Sequence, residues 1–108
     1  NAALFDVTED DQAVTVRFTR SHVMNDQKME VMARELNHIA ERLGGRELRI
    51  DLEQVEYLQS SVLGKLVTLN RKITPEIGRL VLFNARPAVL AVFAVTRLDQ
   101  LFTVKPAG

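Results

Sequence analysis

Residues 48–73, LRIDLEQVEYLQSSVLGKLVTLNRKI, contain the change of pattern that decides the fold. Leu48, Ile50 and Leu52 alternate with polar residues, which is the two-residue period of a β-strand. From about Ser60 to Ile73 the apolar residues recur at spacings of three and four, which predicts an amphipathic helix. A strand that passes through a short polar link into a helix is typical of α/β folds.

The predicted helix from Ser60 has two different faces. Lys65, Thr68 and Lys72 fall on one side, which we expect to be solvated. Thr74-Pro75 is predicted to end the helix, because proline disfavours helical geometry at the residue before it. The residues of the opposite, apolar face are Val62, Leu63, Leu66, Val67, Leu69 and Ile73.

Upstream, the pattern predicts a hairpin and then a first helix. The run from Ala3 to Thr8 and the alternating run around Val14, Val16 and Phe18 read as two strands joined by a polar turn at Glu9-Asp10-Asp11. A helix is predicted from Asn25 to Leu43, capped by Asn25 or Asp26 and stopped by Gly44-Gly45. Its apolar stripe consists of Met29, Met32, Leu36, Ile39 and Leu43.

Downstream, Leu80 to Phe83 has no polar alternation, which favours a central strand covered on both faces. Pro87 suits the first turn of a third helix, and a last short strand or tail is expected near Val104. Strands separated by helical segments imply parallel crossovers. The sequence therefore predicts an α/β fold with a mixed sheet and helices packed mainly on one side.

The composition is typical of one globular domain: 108 residues, 46% hydrophobic and 26% charged. We expect a single domain over residues 1–108, in which Asn1-Ala2 is compatible with the remnant of a cleaved tag. No cysteine is present, which excludes disulfides and thiolate metal sites and favours a cytoplasmic protein.

Charge and hydropathy argue against two classes of partner. Fourteen basic and fourteen acidic side chains give a net charge of zero, so the chain lacks the positive field that drives non-specific binding to nucleic acid. The apolar stretch from Ala88 to Val95 is far shorter than the roughly 20 residues of a membrane-spanning helix, and no export leader is expected. The composition does not predict an oligomeric state.

The residues do not assemble a catalytic or metal site. His22, in a predicted loop from Ser21 to Asn25, and His38, on the exposed side of the first helix, lack a nucleophile with an orienting carboxylate. Nucleophile elbows and phosphate-binding loops are absent. The acidic groups Glu9-Asp10-Asp11 and Asp51 to Glu53 lack the spacing of a calcium loop and are interpreted as solvated turns. We therefore predict no enzymatic activity, cofactor or metal.

Two adjacent hydroxyl groups, those of Ser60 and Ser61, lie where the polar link becomes the helix. Serine is a preferred N-cap residue because its oxygen accepts a hydrogen bond from an orphan amide, and removing such a cap costs about 1 kcal/mol. From the spacing alone, a cap is the favoured interpretation of this pair.

The segment around these serines resembles the signature of the STAS domains, the family of sulfate transporter C-terminal domains and bacterial anti-sigma factor antagonists. The usual pattern is an aspartate on a strand, an apolar pair, and Asp-Ser-Ser-Gly-Leu leading into a helix. Gln59 stands where the family usually has the second aspartate, and Val62 where it has glycine. In register with the pattern are Asp51-Leu52, Val55, Tyr57-Leu58, Ser60-Ser61 and Leu63 to Leu66.

The resemblance continues downstream. Gly78 to Leu82 is similar to the fourth strand of the family, and Pro87 to Val89 with Thr96 to Phe102 is similar to its last helix and ending. A STAS-like fold implies a mixed sheet of four to five strands. The residues before Asp51 resemble the family through their order of elements.

What the resemblance implies for function is a non-enzymatic anti-sigma factor antagonist. Its partner would be an anti-sigma factor, often itself a serine kinase, and phosphorylation would end the complex. The phosphorylated serine of the family falls on Ser60, with Ser61 as the second candidate. The implied partner-binding residues are Gln59, Ser60, Ser61, Val62, Lys65, Thr68 and Lys72, together with the loop Ser21 to Asn25.

Two alternatives remain open at this point. The face that carries Lys65, Thr68 and Lys72 is equally well explained as a solvated helix face. The alternative function is a constitutive STAS scaffold subunit of a signalling or lipid-transport complex, for which Gln59 and Val62 leave room.

Overall fold

A computed structural model of the chain describes residues 5–18, 22–24, 26–73, 77–101 and 103–106. A single 3-10 turn, Leu98–Gln100, also falls within these ranges. In chain order, the strands and helices of this part are β1 Phe5–Glu9, β2 Ala13–Phe18, β3 His22–Met24, α1 Asp26–Glu41, β4 Glu47–Asp51, β5 Val55–Leu58, α2 Ser60–Lys72, β6 Arg79–Ala85, α3 Pro87–Val95 and β7 Thr103–Pro106.

The main sheet has five strands in the order β1-β2-β4-β6-β7. β1 and β2 form an antiparallel hairpin, whereas the β2–β4, β4–β6 and β6–β7 pairs are parallel. The predictions of a leading hairpin, a mixed sheet and a strand near Val104 are confirmed. β6 lies between β4 and β7, which confirms the interior position predicted for Leu80 to Phe83.

The core lies between one face of this sheet and the helices. Leu48 pairs with Leu80, and Ile50 with Leu82, so that β4 and β6 present their buried residues side by side. Burying a large apolar side chain stabilises the fold by about 1.5–3 kcal/mol. The predicted apolar stripes of the first two helices supply Met32, Leu36, Ile39, Leu43, Val62, Leu63, Leu66, Leu69 and Ile73 to this core, in which Leu43 and Ile73 lie just after the helix ends. Val89 and Phe93 of α3 join them.

The opposite face of the sheet is polar, yet Val81 of β6 is buried there, as predicted for a strand covered on both faces. Val81 and Phe83 alternate with the core residues of β6 and line a depression of the helix-free face. The other residues that line it are Thr8, Thr15, Arg17, Glu47, Arg49 and Lys105. The second face of β6 is thus covered by charged and polar side chains rather than by an apolar layer, since long side chains of neighbouring strands can shield an apolar one.

A second, two-stranded sheet was missed by the sequence analysis. β3 pairs in parallel with β5, with Met24 opposite Leu58. The segment from Ser21 to Asn25, predicted as a loop that contains His22, is therefore a strand over its described residues. Strands of three and four residues are too short to show a period of two, which explains the error.

The helix boundaries follow the predicted signals closely. Gly44 and Gly45 have φ values of 61° and 91°, the left-handed geometry expected after α1. α1 ends at Glu41, two residues before the predicted Leu43. Asn25 and Thr74-Pro75 lie outside the described residues. Within the described ranges, no helix combines the length and apolar character that crossing a membrane requires.

Gly78 is required where the loop before β6 meets the end of α1. A Cβ atom at this position would lie 2.3 Å from the carbonyl oxygen of Arg46 and 3.0 Å from Leu43 Cδ1. We expect Gly78→Ala to lower the free energy of unfolding by about 1–3 kcal/mol, because backbone must move to accept the methyl group. Urea denaturation measures this change. The matched control is Gly64→Ala, where a Cβ meets nothing within 4 Å and a gain of about 0.5–1 kcal/mol is expected; equal stability of the two variants would contradict the assignment.

Asp10 closes the β1–β2 turn through its carboxylate. Its Oδ1 accepts hydrogen bonds from the amides of Gln12 at 2.7 Å and Ala13 at 2.8 Å, and these bonds lower the pKa of Asp10. Because the folded-state pKa lies below the unfolded one, the stabilisation is complete above the unfolded value and is lost as the pH falls through the folded value. We expect an NMR titration to give Asp10 a depressed pKa, and Asp10→Asn to flatten the acid limb of the stability profile. An unchanged acid limb would show that the turn bonds do not depend on this charge.

Candidate functional site

Gln59, not a serine, occupies the N-cap of α2. Its φ of −73° and ψ of 147° are extended, and it makes no side-chain capping hydrogen bond. Ser60 and Ser61 are the first two helical residues. The interpretation of Ser60 as the cap is therefore wrong, because a capping side chain must come from the non-helical residue before the helix.

β5 delivers the start of α2 to the surface. Val55 and Leu58 are buried and anchor β5 in the core, whereas Tyr57 is 49% exposed and Gln59 is exposed. β3 runs beside β5, and its last residue, Met24, pairs with Leu58 two residues before Ser60. The segment predicted to join the contact surface thus lies next to the serine pair.

The predicted contact residues Lys65, Lys72 and Val62 do not lie on one common surface. Lys65 forms an ion pair with Glu30 of α1, and the Nζ of Lys72 lies 3.9 Å from Glu41 Oε1 of the same helix. Both lysines therefore lie along the α1–α2 seam. Val62 is 1% exposed and packs in the core, so it presents no surface to a partner.

A shallow groove follows this seam. Thr68 is exposed at its edge, and its Oγ1 donates a hydrogen bond to the carbonyl oxygen of Gly64 at 3.1 Å. The groove has a volume of about 140 Å³, and the residues that line it are Ala33, Leu36, Asn37, Lys65, Thr68 and Leu69. The ion pairs of Lys65 and Lys72 join the two helices along this groove.

Asp51 is a buried carboxylate at the end of β4, 3% exposed. Its Oδ2 accepts a hydrogen bond from Arg17 Nε at 3.2 Å, and its Oδ1 accepts from the amide of Glu53 at 2.9 Å and from Asn84 Nδ2 at 3.2 Å. A buried carboxylate is tolerated because donors replace the lost water. The interpretation of Asp51 as part of a solvated turn is wrong.

The end of β6 and the residue after it also hold the link between β4 and β5. The amide of Leu52 donates to the carbonyl oxygen of Phe83 at 2.8 Å, and Arg86 Nε donates to the carbonyl oxygen of Glu53 at 2.8 Å. Asn84 adopts a left-handed φ of 58°, which asparagine tolerates better than most residues. Neither Asn84 nor Arg86 was predicted to belong to the site. Asn84 lies inside β6, where the pairing with β7 shifts register between Leu82 and Ala85.

The described residues include His38 and many carboxylate side chains. Among them, no group of three or more histidine, aspartate or glutamate side chains is placed to hold a metal ion. His38 is exposed on α1, as predicted. The candidate site consists of the start of α2, a neighbouring strand pair and a groove.

The comparisons with known proteins agree with this geometry. A family model described as Mlab, STAS domain matches residues 5–104. The match includes the segment before Asp51, which resembled the family only through its order of elements. No curated protein matches the chain by sequence.

Several solved structures have a fold similar to that of this chain. An anti-sigma-factor antagonist (STAS) domain protein from Planctomyces limnophilus is 24% identical, with a TM-score of 0.82 over 96% of this chain and 91% of the other. The anti-sigma factor antagonist SpoIIAA, unphosphorylated, is 18% identical, with a TM-score of 0.75 over 93% and 86%. Phosphorylated SpoIIAA, a Bacillus cell fate determinant, is 17% identical, with a TM-score of 0.68 over 93% and 89%. At these identities the likeness establishes the fold.

Asp51 offers a direct test of how the site is held. We expect Asp51→Asn to lower the free energy of unfolding by about 1–3 kcal/mol, because an amide nitrogen would replace one of the acceptor oxygens of a buried group. The control is Arg17→Ala, whose side chain is 64% exposed and whose loss should cost less than about 1 kcal/mol. Chemical denaturation of both variants measures the difference. A larger loss from Arg17→Ala would mean that the exposed ion pair, not the acceptor at Asp51, holds the link.

Proposed function

The chain belongs to the STAS domain family, and we propose from this membership that it acts as an anti-sigma factor antagonist switched at Ser60. The unmodified domain binds an anti-sigma factor that is also a serine kinase. Phosphorylation of Ser60 by that kinase ends the complex and returns the sigma factor to its inhibitor. The protein itself performs no catalysis.

The observation that carries this proposal is the position of Ser60. The residue opens α2, directly after an exposed N-cap that makes no side-chain cap. A serine at the N-cap position would be explained by its stabilisation of the helix. Ser60 and Ser61 lie after that position, so this explanation does not apply to them. Two forms of SpoIIAA, phosphorylated and unphosphorylated, share the fold, which supports a modifiable serine in this chain.

The electrostatics of α2 favour a switch that acts at the interface. α2 contains no acidic residue, and its last turn carries Arg71 and Lys72. A phosphate at the start of a helix is stabilised by the dipole and the first amides, so the domain stays folded when modified. The added charge of about −1.5 to −2 instead repels or desolvates the partner.

The contact surface that we propose consists of Gln59, Ser60, Ser61 and the exposed edge at Thr68, with β3 alongside. Lys65 and Lys72 form its border, because both also pair with α1. A surface of this kind needs no cofactor, and we place the protein in the cytoplasm with its partner.

A constitutive scaffold subunit of a signalling or lipid-transport complex is the second candidate function. Two observations favour it: the matching family model is described as Mlab rather than as an antagonist, and Gln59 and Val62 depart from the family signature. In this case, Ser60 would be a contact residue without modification.

Ser60→Asp separates the two functions. We expect this variant to bind the partner at least about tenfold more weakly, a loss of about 1.4 kcal/mol, because a negative charge enters the interface. Thermal stability should remain equal or rise slightly, since the charge lies at a helix N-terminus. Wild-type protein, Ser60→Asp and the uncharged control Ser60→Ala serve as baits in lysate of the native host, with partners and phosphosites identified by mass spectrometry.

The antagonist predicts a retained serine kinase with wild type and Ser60→Ala, its loss with Ser60→Asp, and phosphate on Ser60 of the wild type. Phosphate on Ser61 alone would move the switch by one residue. Equal capture of non-kinase subunits by all three baits, with Ser60 unmodified, would establish the scaffold instead.

A further inference from the structure

The polar depression on the helix-free face of the main sheet plays no part in the proposed function. Its volume is about 490 Å³, which is typical of a site for a small organic ligand. Three cationic side chains and one carboxylate line it, those of Arg17, Arg49, Lys105 and Glu47. Solvation alone is satisfied by polar side chains of either sign, whereas an excess of cations around one concave site favours an anionic ligand.

The strand register explains why these cations meet at one place. Successive residues of a strand point to opposite faces, so Arg17 and Arg49 lie opposite the core residues that alternate with them. Arg17 pairs with Asp51, two residues beyond Arg49, so the two arginines are diagonal neighbours on adjacent strands. Lys105 borders the same depression from β7, on the other side of β6.

Two carboxylates hold the arginines through one nitrogen each. Arg17 Nε donates to Asp51 Oδ2 at 3.2 Å, and Arg49 Nε donates to Glu47 Oε1 at 2.8 Å. Within the described ranges, the terminal nitrogens of both guanidinium groups have no hydrogen-bond partner. The carboxylates therefore orient each guanidinium group and leave its paired terminal N–H donors for another acceptor, and phosphate oxygens match this geometry.

Lys105 adds a positive charge that the fold does not neutralise. It forms no ion pair with any carboxylate of the described residues. The charge of Glu47, which also lines the depression, is offset by its pair with Arg49. The depression as a whole therefore favours a ligand with more than one negative charge.

Val81 and Phe83 provide an apolar part between the cations. Val81 pairs in register with Arg49, and Phe83 pairs with Asp51. Val81 is buried, whereas Phe83 is only half-buried, so its ring is accessible from the depression. An aromatic ring beside the cations offers an organic group a surface to pack against.

We infer that this depression binds a small organic phosphate monoester. Its phosphate group lies between the guanidinium groups of Arg17 and Arg49, within the field of Lys105, and its organic group packs against Phe83. The depression lies on the face of the sheet opposite the helices, so the inference does not rest on the proposed switch at Ser60. Binding is non-covalent and involves no reaction.

Titration of the ¹⁵N-labelled protein with phenyl phosphate, at constant ionic strength, tests this inference by NMR. We expect the amide signals around Arg17, Arg49 and Phe83 to shift. Arg17→Gln and Arg49→Gln should each weaken binding at least about fivefold, because each removes charged donors to the phosphate. Lys105→Gln, which breaks no described ion pair, should weaken it about two- to fivefold. The matched control is Arg34→Gln, which removes the same charge from an exposed position of α1 and should leave affinity unchanged.

Three results would overturn the inference. The first is the absence of any shift at millimolar phenyl phosphate, or shifts confined to the first amides of α2, where a helix N-terminus also attracts anions. The second is unchanged affinity in both Arg49→Gln and Lys105→Gln. The third is equal affinity for inorganic phosphate, the second probe, because it would reject the contact with Phe83 and with it an organic ligand. A failed switch at Ser60 would leave each of these measurements unaffected.

Discussion

The buried carboxylate of Asp51 is the interaction on which the geometry of the site depends. It accepts hydrogen bonds from β2, from the link that follows β4 and from the end of β6. Three separate segments therefore meet at one side chain that is 3% exposed. A buried anion without these donors would be costly, so the donors and the acceptor hold one another in place. β5 and then α2 follow this junction directly in the chain.

The two faces of α2 have different roles. Val62, Leu66 and Leu69 bind the helix to the core, while Gly64 and Thr68 are exposed on another side. The inner face fixes the helix on the core, so the phosphate that we propose at Ser60 would alter a contact without altering the fold. The ion pairs of Lys65 and Lys72 with α1 extend the same rigid surface across the neighbouring helix.

Much of the architecture was predicted from the two-residue period of strands and the 3.6-residue period of helices. β2, β4 and the first two helices were predicted from the period of their apolar residues, whereas β6 was predicted from an unbroken apolar run and α3 from Pro87. Gly44-Gly45 marked a real helix end. β3 and the pairing of His22 to Met24 with β5 could not be predicted, since three residues carry no period and their pairing is a long-range event. The family resemblance, not the periodicity, directed attention to Ser60.

The sequence by itself determined which elements form, where apolar faces lie and which family the signature resembles, because these depend on residue type and spacing along the chain. Tertiary structure alone decided that Asp51 is buried, that Val62 is hidden, and that Gln59 rather than Ser60 is the cap. It also decided that Lys65 and Lys72 turn toward α1. Each of these features depends on a residue that is distant in sequence or on the backbone angles at one junction. The spacing of residues along a short segment contains neither kind of information.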